Sequence, residues 1–209
     1  MSTTGFPEGK HQKEEKSSVS TRNVREHILT VASDLFYREG VHAVGVDTII
    51  ARAGVAKSSL YRYFRTKDEL IAAYVQSEDD AFWQQWDIVA SPHPGPHEKL
   101  VALLTWIGTK IAAPGYRGCP QLNVVAEFPD IAHPARTVAA HHKTELHRRL
   151  TDLARDLGVP KPEFAANQLW LLLDGAFVNH ELIAERDPVA LLVNAAAFIL
   201  PSKAIRQRR

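Results

Sequence analysis

The chain has 209 residues, a formal net charge of +1 and 45% hydrophobic residues, enough for an ordinary core in one large or two small domains. It contains no apolar run of about 18 residues or more, which argues against a membrane span. A single cysteine excludes an internal disulfide and is typical of a protein of the reducing cytoplasm.

Residues 1–20 are polar and lack the apolar core of a secretory signal, which predicts a disordered tail. The first helix is expected from about Thr21 to Glu39, where apolar residues recur at helical spacing. Those apolar residues are Ile28, Leu29, Ala32, Leu35 and Phe36. Gly40 follows them as the kind of glycine that commonly ends a helix.

Residues 45–64 predict two short helices joined by a tight turn. Apolar positions 46, 49, 50 and 53 share one face of the first helix, and Gly54 supplies the backbone freedom that a sharp turn needs. The second helix, about Lys57 to Phe64, buries Leu60 and Phe64. Its outward residues are Lys57, Ser58, Ser59, Tyr61, Arg62 and Tyr63. Because such side chains bond phosphates and reach base edges in the major groove, this helix has the chemistry of a DNA probe.

Positive charge is concentrated in the same segment. Between Val46 and Lys67, five basic residues stand against one acid, Asp47, a local net of +4 in a chain of +1. Local positive charge suits contact with a polyanion, although a surface hairpin with solvated charges is the alternative. Thr66 and Glu69 have the spacing of a capping box that opens a fourth helix. The helix dipole disfavours Lys67 in its first turn, which favours a role for this lysine in binding an outside phosphate.

Together these motifs resemble a known family. The sequence AGVAKSSLYRYFRTKDEL, preceded by VDTII, is similar to the DNA-binding domain of the TetR family of transcriptional regulators. The helix that contains ASDLF and ends before Gly40 matches as well, so the resemblance covers about Thr21 to Tyr74. One position departs from the pattern. Members often carry Ser or Thr where this chain has Gly45, and glycine can cap a helix but offers no side chain to a phosphate.

The resemblance implies an all-α fold of about nine helices. Residues 21–66 would form a helix-turn-helix DNA-binding domain, residues 67–201 a C-terminal ligand-binding and dimerisation domain, and residues 202–209 a basic tail. The implied partners are double-stranded DNA, a second copy bound through the last two helices, and a small-molecule effector. The implied DNA contacts are Lys57, Ser58, Ser59, Tyr61, Arg62, Tyr63 and Lys67. Packing within the domain is the alternative for one of the two tyrosines.

The rest of the chain is predicted to be helices separated by proline and glycine, with no convincing strand alternation. The expected helices cover about 67–89, 98–112, 120–127 and 134–157, a segment that ends near 184, and a last helix opened by Asp187 and Pro188.

Apolar stripes in the last two long helices agree with a dimer. The stripe residues are Leu169, Leu172, Leu173, Ala176 and Ile183 in one helix and Val189, Leu192, Val193, Ala196 and Ile199 in the other. A twofold dimer can read both half-sites of a palindrome, which a single recognition helix cannot. The alternative is that both stripes complete the core of one chain.

An effector cavity is expected among the middle helices, because the family resemblance implies one there. The candidate lining residues are Trp83, Trp86, Trp106, Tyr116, Asn123, Glu127, Phe128 and Trp170, with Gln168 and Asn179 as further polar candidates. An apolar cavity with a few polar groups suits a small apolar or aromatic effector. Aromatic residues at helical spacing are nevertheless more often part of the core.

Cys119 lies at the expected start of a helix, where exposed amides can lower the pKa of a thiol. A redox or electrophile sensor is therefore one interpretation of Cys119, and an inert buried thiol is the other. The nearby histidines are expected to be solvated surface residues, because two ligands on one helix face do not make a metal site. These histidines are His133, His141, His142 and His147.

The chain shows no P-loop, nucleophile elbow or dinucleotide fingerprint, so neither an enzyme nor a resident cofactor is expected. The favoured interpretation is a ligand-responsive dimeric repressor that binds a palindromic operator and is released by its effector. The alternative is a helical small-molecule-binding protein, or a thiol sensor that uses Cys119, whose helix-turn-helix no longer binds DNA.

Overall fold

A computed structural model of the chain describes residues 11–200, with side chains from residue 23 onward. These residues form ten α-helices and no strand, which confirms the all-α prediction. The helices are α1 (His11–Glu39), α2 (Val46–Ala53), α3 (Lys57–Tyr63), α4 (Lys67–Ala90), α5 (Pro96–Ala112), α6 (Pro120–Glu127), α7 (Pro134–Asp156), α8 (Pro162–Val178), α9 (His180–Ile183) and α10 (Pro188–Ile199). The chain divides into two compact units between Tyr74 and Val75.

Helix α1 begins ten residues before the predicted start at Thr21. The disordered tail predicted for 1–20 is therefore replaced by helix over residues 11–20, while residues 1–10 and the basic tail 202–209 lie outside the described residues. The physical reason is that Lys, Glu and Gln have good helix propensity, and adding residues to an existing helix costs far less than nucleating one.

The first unit has a small core under α1, α2 and α3, and it includes the first turns of α4. Ile28, Ile49 and Leu60 are almost fully buried and contribute one side chain from each of the first three helices. The ring of Tyr74 on α4 lies 5.8 Å from the ring of Phe36. Because these first turns of α4 pack in this core, the boundary falls at Tyr74 and not at residue 66, where the sequence placed it.

The second unit packs α5 against α10, α7 against α6 and α8, and α8 against α10. Several residues assigned to dimer stripes from the sequence complete this core instead. They are Leu169, Leu173, Ala176, Leu192 and Ala196, all buried within one chain. The stripe assignment is therefore wrong for these residues, because the inward face of each helix is apolar as well.

The eighth predicted helix is interrupted at Asn179, so α8 and the one-turn α9 replace a single helix running to Ala184. The Asn179 side chain donates to the carbonyl of Gly175 at 2.8 Å. Asparagine commonly competes with the helix backbone in this way, which explains the break. None of the helices within residues 11–200 has both the length and the apolar character needed to cross a membrane.

Candidate functional site

The turn between α2 and α3 has the geometry of a helix-turn-helix. Gly54 ends α2 in the left-handed region, with φ 64° and ψ 30°, and its N–H bonds the carbonyl of Ala51. A residue with a Cβ adopts this conformation only with strain, so glycine makes the sharp turn possible. Buried Leu60 and Phe64 then anchor α3 to the core of the first unit.

Helix α3 presents its polar side chains to solvent. Lys57, Ser58 and Arg62 are exposed, and 41% of the Tyr61 surface is accessible. Ser59, Tyr63 and Lys67 are half-buried. Tyr63 is thus the more buried member of the tyrosine pair, with part of its surface accessible. The candidate DNA residues of α3 accordingly sit on one short helix whose other face is held by the core.

Lys57 is engaged by an acidic neighbour. Its ammonium group lies 3.3 Å from the Asp47 carboxylate on α2, and both side chains are largely exposed. An exposed pair of this kind contributes at most about 1 kcal/mol to stability, so it does not hold the two helices together. The sequence did not predict this pair, although Asp47 was the only acid in the basic segment.

The start of α4 confirms the predicted cap. The Glu69 N–H donates to Thr66 Oγ1 at 3.1 Å, and the Glu69 carboxylate accepts from the Arg65 N–H at 2.8 Å. The reciprocal bond thus reaches one residue further back than in a standard capping box. The start of α2 differs, because Gly45 provides no side-chain cap.

In the second unit, three of the predicted pocket residues come together. Trp83 and Trp106 each lie about 5 Å from Phe82 between ring centroids, and Trp86 lies 5.7 Å from Trp83. His142 joins this cluster, with its ring 4.9 Å from Phe82 and 5.1 Å from Trp83. The five side chains form one aromatic cluster between α4, α5 and α7.

Ring contacts and bonds place four further predicted pocket residues outside this cluster: Tyr116, Asn123, Phe128 and Trp170. Tyr116 lies edge-on to His180 at 5.3 Å, and Phe128 stacks on His133 at 3.7 Å. A cavity of about 500 Å³ bounded by α4, α5 and α7 is lined by only one predicted residue, Trp86.

Cys119 does not have the environment expected of a reactive thiol. The residue is 7% exposed, and its Sγ donates to Gln121 Oε1 at 3.1 Å. Burial raises the pKa of the Cys119 thiol above its ordinary value, and the nearby Lys143 ammonium and backbone amides only partly oppose this. The backbone amides do lower the pKa, but desolvation outweighs them, which favours the interpretation of Cys119 as an inert buried thiol.

The prediction of solvated histidines is wrong for His142, which is 1% exposed. Its Nδ1 lies 2.7 Å from Asp79 Oδ1, and burial lowers the pKa of the imidazole although the bond to Asp79 opposes this. No group of three metal-ligating side chains occurs in the part of the chain that the structure describes. The sequence missed this pair because 63 residues separate its members.

An all-α fold that carries an exposed basic helix after a glycine turn defines a DNA-binding protein of the helix-turn-helix class. The family model for bacterial regulatory proteins of the tetR family matches residues 28–74. The structure resembles a TetR-family transcriptional regulator from Streptomyces coelicolor, with a TM-score of 0.78 and 32% identity, covering 85% of this chain and 96% of that one. It also resembles a putative TetR transcriptional regulator from Streptomyces avermitilis, with a TM-score of 0.71 and 33% identity, covering 83% of this chain and 97% of that one.

A further relative is similar over a short stretch. The HTH-type transcriptional activator FasR of Mycolicibacterium smegmatis is 45% identical over 56 residues, which make up 27% of this chain and 26% of that protein. Taken with the structural matches, these similarities show that the chain belongs to the TetR family. It is a DNA-binding transcriptional regulator, and such regulators are not enzymes.

Proposed function

We propose that the protein is a repressor that binds a palindromic operator as a homodimer and leaves it when a small-molecule effector binds in the second unit. The DNA contacts we propose are those of α3 and the start of α4: Lys57, Ser58, Ser59, Tyr61, Arg62, Tyr63 and Lys67. Hydroxyls and cations can supply phosphate bonds, and the exposure of Arg62 on α3 supports the proposal that it contacts a base edge.

The observation that carries the dimer is an apolar surface along the last helices. Phe164, Leu171 and Val178 are 60%, 74% and 65% exposed and follow one another at heptad spacing along α8. Leu182 on α9 continues this line, and Phe198 on α10 is 92% exposed. Large apolar side chains grouped in this way mark an interaction surface, because single chains rarely expose contiguous apolar patches.

Gly175 supports close packing on the same surface. It is exposed on α8 between Leu171 and Val178, and no heavy atom lies within 4 Å of the position that a Cβ would take. Glycine within a helix is less favourable than alanine, by up to about 1 kcal/mol. A partner helix that approaches the backbone at this point accounts for a glycine that the single chain does not need.

Light scattering coupled to size-exclusion chromatography tests the dimer. We expect the wild type to elute as a dimer at micromolar concentration and Leu171→Glu to elute as a monomer, because a charge buried in an apolar interface is unfavourable. Ile88→Glu is the matched control, since Ile88 is an exposed apolar residue of α4, 55% accessible, that lies outside α8–α10. A monomeric wild type, or equal effects of both substitutions, would contradict the proposal.

Repression and release are tested with DNA from upstream of the gene. We expect a gel shift with this DNA, loss of the shift on addition of an extract of cells that contain the effector, and increased transcription of a reporter when the gene is deleted. Release requires that the effector bind one conformer better than the other, typically by about 1–3 kcal/mol. Decreased reporter transcription in the deletion strain would identify an activator instead. Retained binding under all conditions would reject ligand response.

The alternative of a thiol sensor is not favoured, since Cys119 is buried and hydrogen-bonded. A helical binding protein without DNA function is disfavoured by the exposed Lys57 and Arg62 on α3.

A further inference from the structure

Buried polar side chains are concentrated in one part of the second unit. Among the described residues, the buried polar side chains are Asp79, Gln121, His142 and Thr151. Three of these, Asp79, Gln121 and His142, belong to a single region formed by α4, α6, α7 and α8. Because buried polar groups are costly unless they are hydrogen-bonded, each of them requires a partner.

Most groups in this region have their partners. His142 bonds Asp79, as described above, and Lys143 on the same helix donates to Asp174 Oδ1 on α8. The Trp170 indole N–H donates to the other oxygen of Asp174 at 2.7 Å. Asp174 thereby compensates the charge of Lys143, and each of its two carboxylate oxygens accepts a hydrogen bond.

Gln121 is the exception. Its side chain is 2% exposed, and its Oε1 accepts the Cys119 thiol. Its Nε2 is buried and has no hydrogen-bond partner among the described residues. A glutamine amide has two N–H donors, so Gln121 presents donor capacity that no residue between 11 and 200 uses. Such an unpaired donor carries a desolvation penalty that an acceptor from outside would remove.

Electrostatic interactions connect Cys119, the hydrogen-bond partner of Gln121, to charged groups of α7 and α8. Burial raises the pKa of the adjacent Cys119 thiol, and the charges of Lys143 and Asp174 both act on the same thiol, in opposite directions. They also act on His142. Helix α6 packs against α7, and α7 packs against α8, so Gln121 belongs to the same packed group of helices as the Lys143–Asp174 pair. The Trp170 indole donates to the same carboxylate.

We propose that Gln121 is the recognition residue for the effector, and that the effector is an uncharged molecule with a hydrogen-bond acceptor, such as a ketone, ester or amide carbonyl, on an aromatic or apolar body. This inference rests on the proposed function, because it names the chemistry of its effector. An anionic ligand is disfavoured, since Asp174 already neutralises Lys143 and Asp79 adds a further negative charge. A cationic ligand is also disfavoured, because an ammonium group has only N–H donors and Gln121 Nε2 is itself a donor.

The test uses four benzene derivatives of similar size and no DNA. Acetophenone has a neutral acceptor, ethylbenzene has none, benzoate is an anion and benzylamine is a cation. In isothermal titration and thermal-shift measurements on the full chain, we expect acetophenone to bind and to raise the Tm, and the other three to bind at least tenfold more weakly. Equal binding of ethylbenzene, stronger binding of benzoate or benzylamine, or no binding of acetophenone would overturn the proposal.

Gln121→Leu separates recognition from a structural role. Leucine removes the unpaired donor and also the acceptor of the Cys119 thiol, which is only a weak donor. We therefore expect the Tm without ligand to be unchanged or higher and acetophenone binding to fall at least tenfold. Gln121→Met, with an unbranched side chain of similar length, repeats the test if the leucine variant does not fold. If both variants lower the Tm by several degrees while acetophenone binding is retained, Gln121 is structural and the proposal is wrong. Because binding is measured without operator DNA, failure of the repressor proposal leaves this result unaffected.

Discussion

Gly108 on α5 faces the backbone of Val189 on α10 directly. A Cβ added to Gly108 would lie 2.7 Å from both the nitrogen and the α-carbon of Val189. Real Cβ atoms essentially never come this close to backbone atoms, so the two helices pack backbone to backbone at this point. The contact positions the start of α10, the helix whose outer face carries the exposed Phe198.

Gly108→Ala is therefore expected to destabilise the protein, by about 1–3 kcal/mol, because a backbone cannot move aside as a flexible side chain can. The matched control is Gly175→Ala, the same change in the last turn of α8, where nothing lies within 4 Å of the added Cβ. Both are compared in the Leu171→Glu background, so that the proposed dimer surface does not contribute. Urea unfolding should show a loss for Gly108→Ala and a small gain for Gly175→Ala. Losses of similar size would contradict the close approach.

Gly45→Ser is expected to strengthen DNA binding. Gly45 has φ −80° and ψ 152°, which serine adopts freely, and the nearest atom to an added Cβ is Thr48 Oγ1 at 3.9 Å. The new hydroxyl would reach a phosphate from the start of α2, and a net hydrogen bond of about 0.5–1.5 kcal/mol corresponds to roughly two- to tenfold in affinity. Gly45→Ala serves as the control, and operator titration by fluorescence anisotropy is the measurement. Equal affinities of the serine and alanine variants would reject the hydroxyl contact.

Asp47→Asn is expected to raise DNA affinity at low salt, because it releases Lys57 and removes a negative charge from the basic surface. The gain should be several-fold at low ionic strength and should shrink as salt screens the charges. Asp34→Asn is the control, since Asp34 forms a comparable exposed pair with Arg38 within α1. An unchanged affinity for Asp47→Asn would show that Lys57 does not contact DNA.

Arg62 and Lys67 are expected to differ in what they recognise. Lys67→Ala should weaken binding to all sequences and reduce the salt dependence by about one charge, as loss of a phosphate contact does. Arg62→Ala should also change sequence preference, with a loss of about 1–3 kcal/mol on the operator. Binding to operator and to random DNA of the same length measures both. If Arg62→Ala weakens the two DNAs equally, Arg62 does not read a base.

His142 is expected to make stability depend on pH. Burial lowers the pKa of His142 in the folded chain, although Asp79 opposes this, and Lys143 and Asp174 also face it. The unfolded chain therefore takes up the proton first as pH falls below about 6.5. The contribution of His142 to the free energy of unfolding is thus present above that pH and is lost below it. The slope contributed by His142 is at most about 1.4 kcal/mol per pH unit. Urea unfolding between pH 8 and 5 should show a weaker dependence for His142→Gln, while the exposed neighbour His141→Gln should behave as the wild type.

Local sequence signals were sufficient for the DNA-binding unit. Gly54 marks the turn because only glycine takes the left-handed conformation there without strain, and Thr66 with Glu69 marks a helix start because their bonds span three or four residues. The family resemblance rests on this segment, and the family model matches the same region, residues 28–74.

For the C-terminal unit, the sequence predicted only that the chain forms a set of helices. Its helices are apolar on more than one face, so the sequence could not show that Leu169 and Leu173 point inward while Leu171 points outward. The buried pair of Asp79 and His142 arises from residues far apart in the chain, and the unpaired amide of Gln121 exists only because the surrounding helices close over it. Neighbouring residues determine short-range hydrogen bonds and backbone preferences. Burial depends on which helices pack together, and only the tertiary structure decides that.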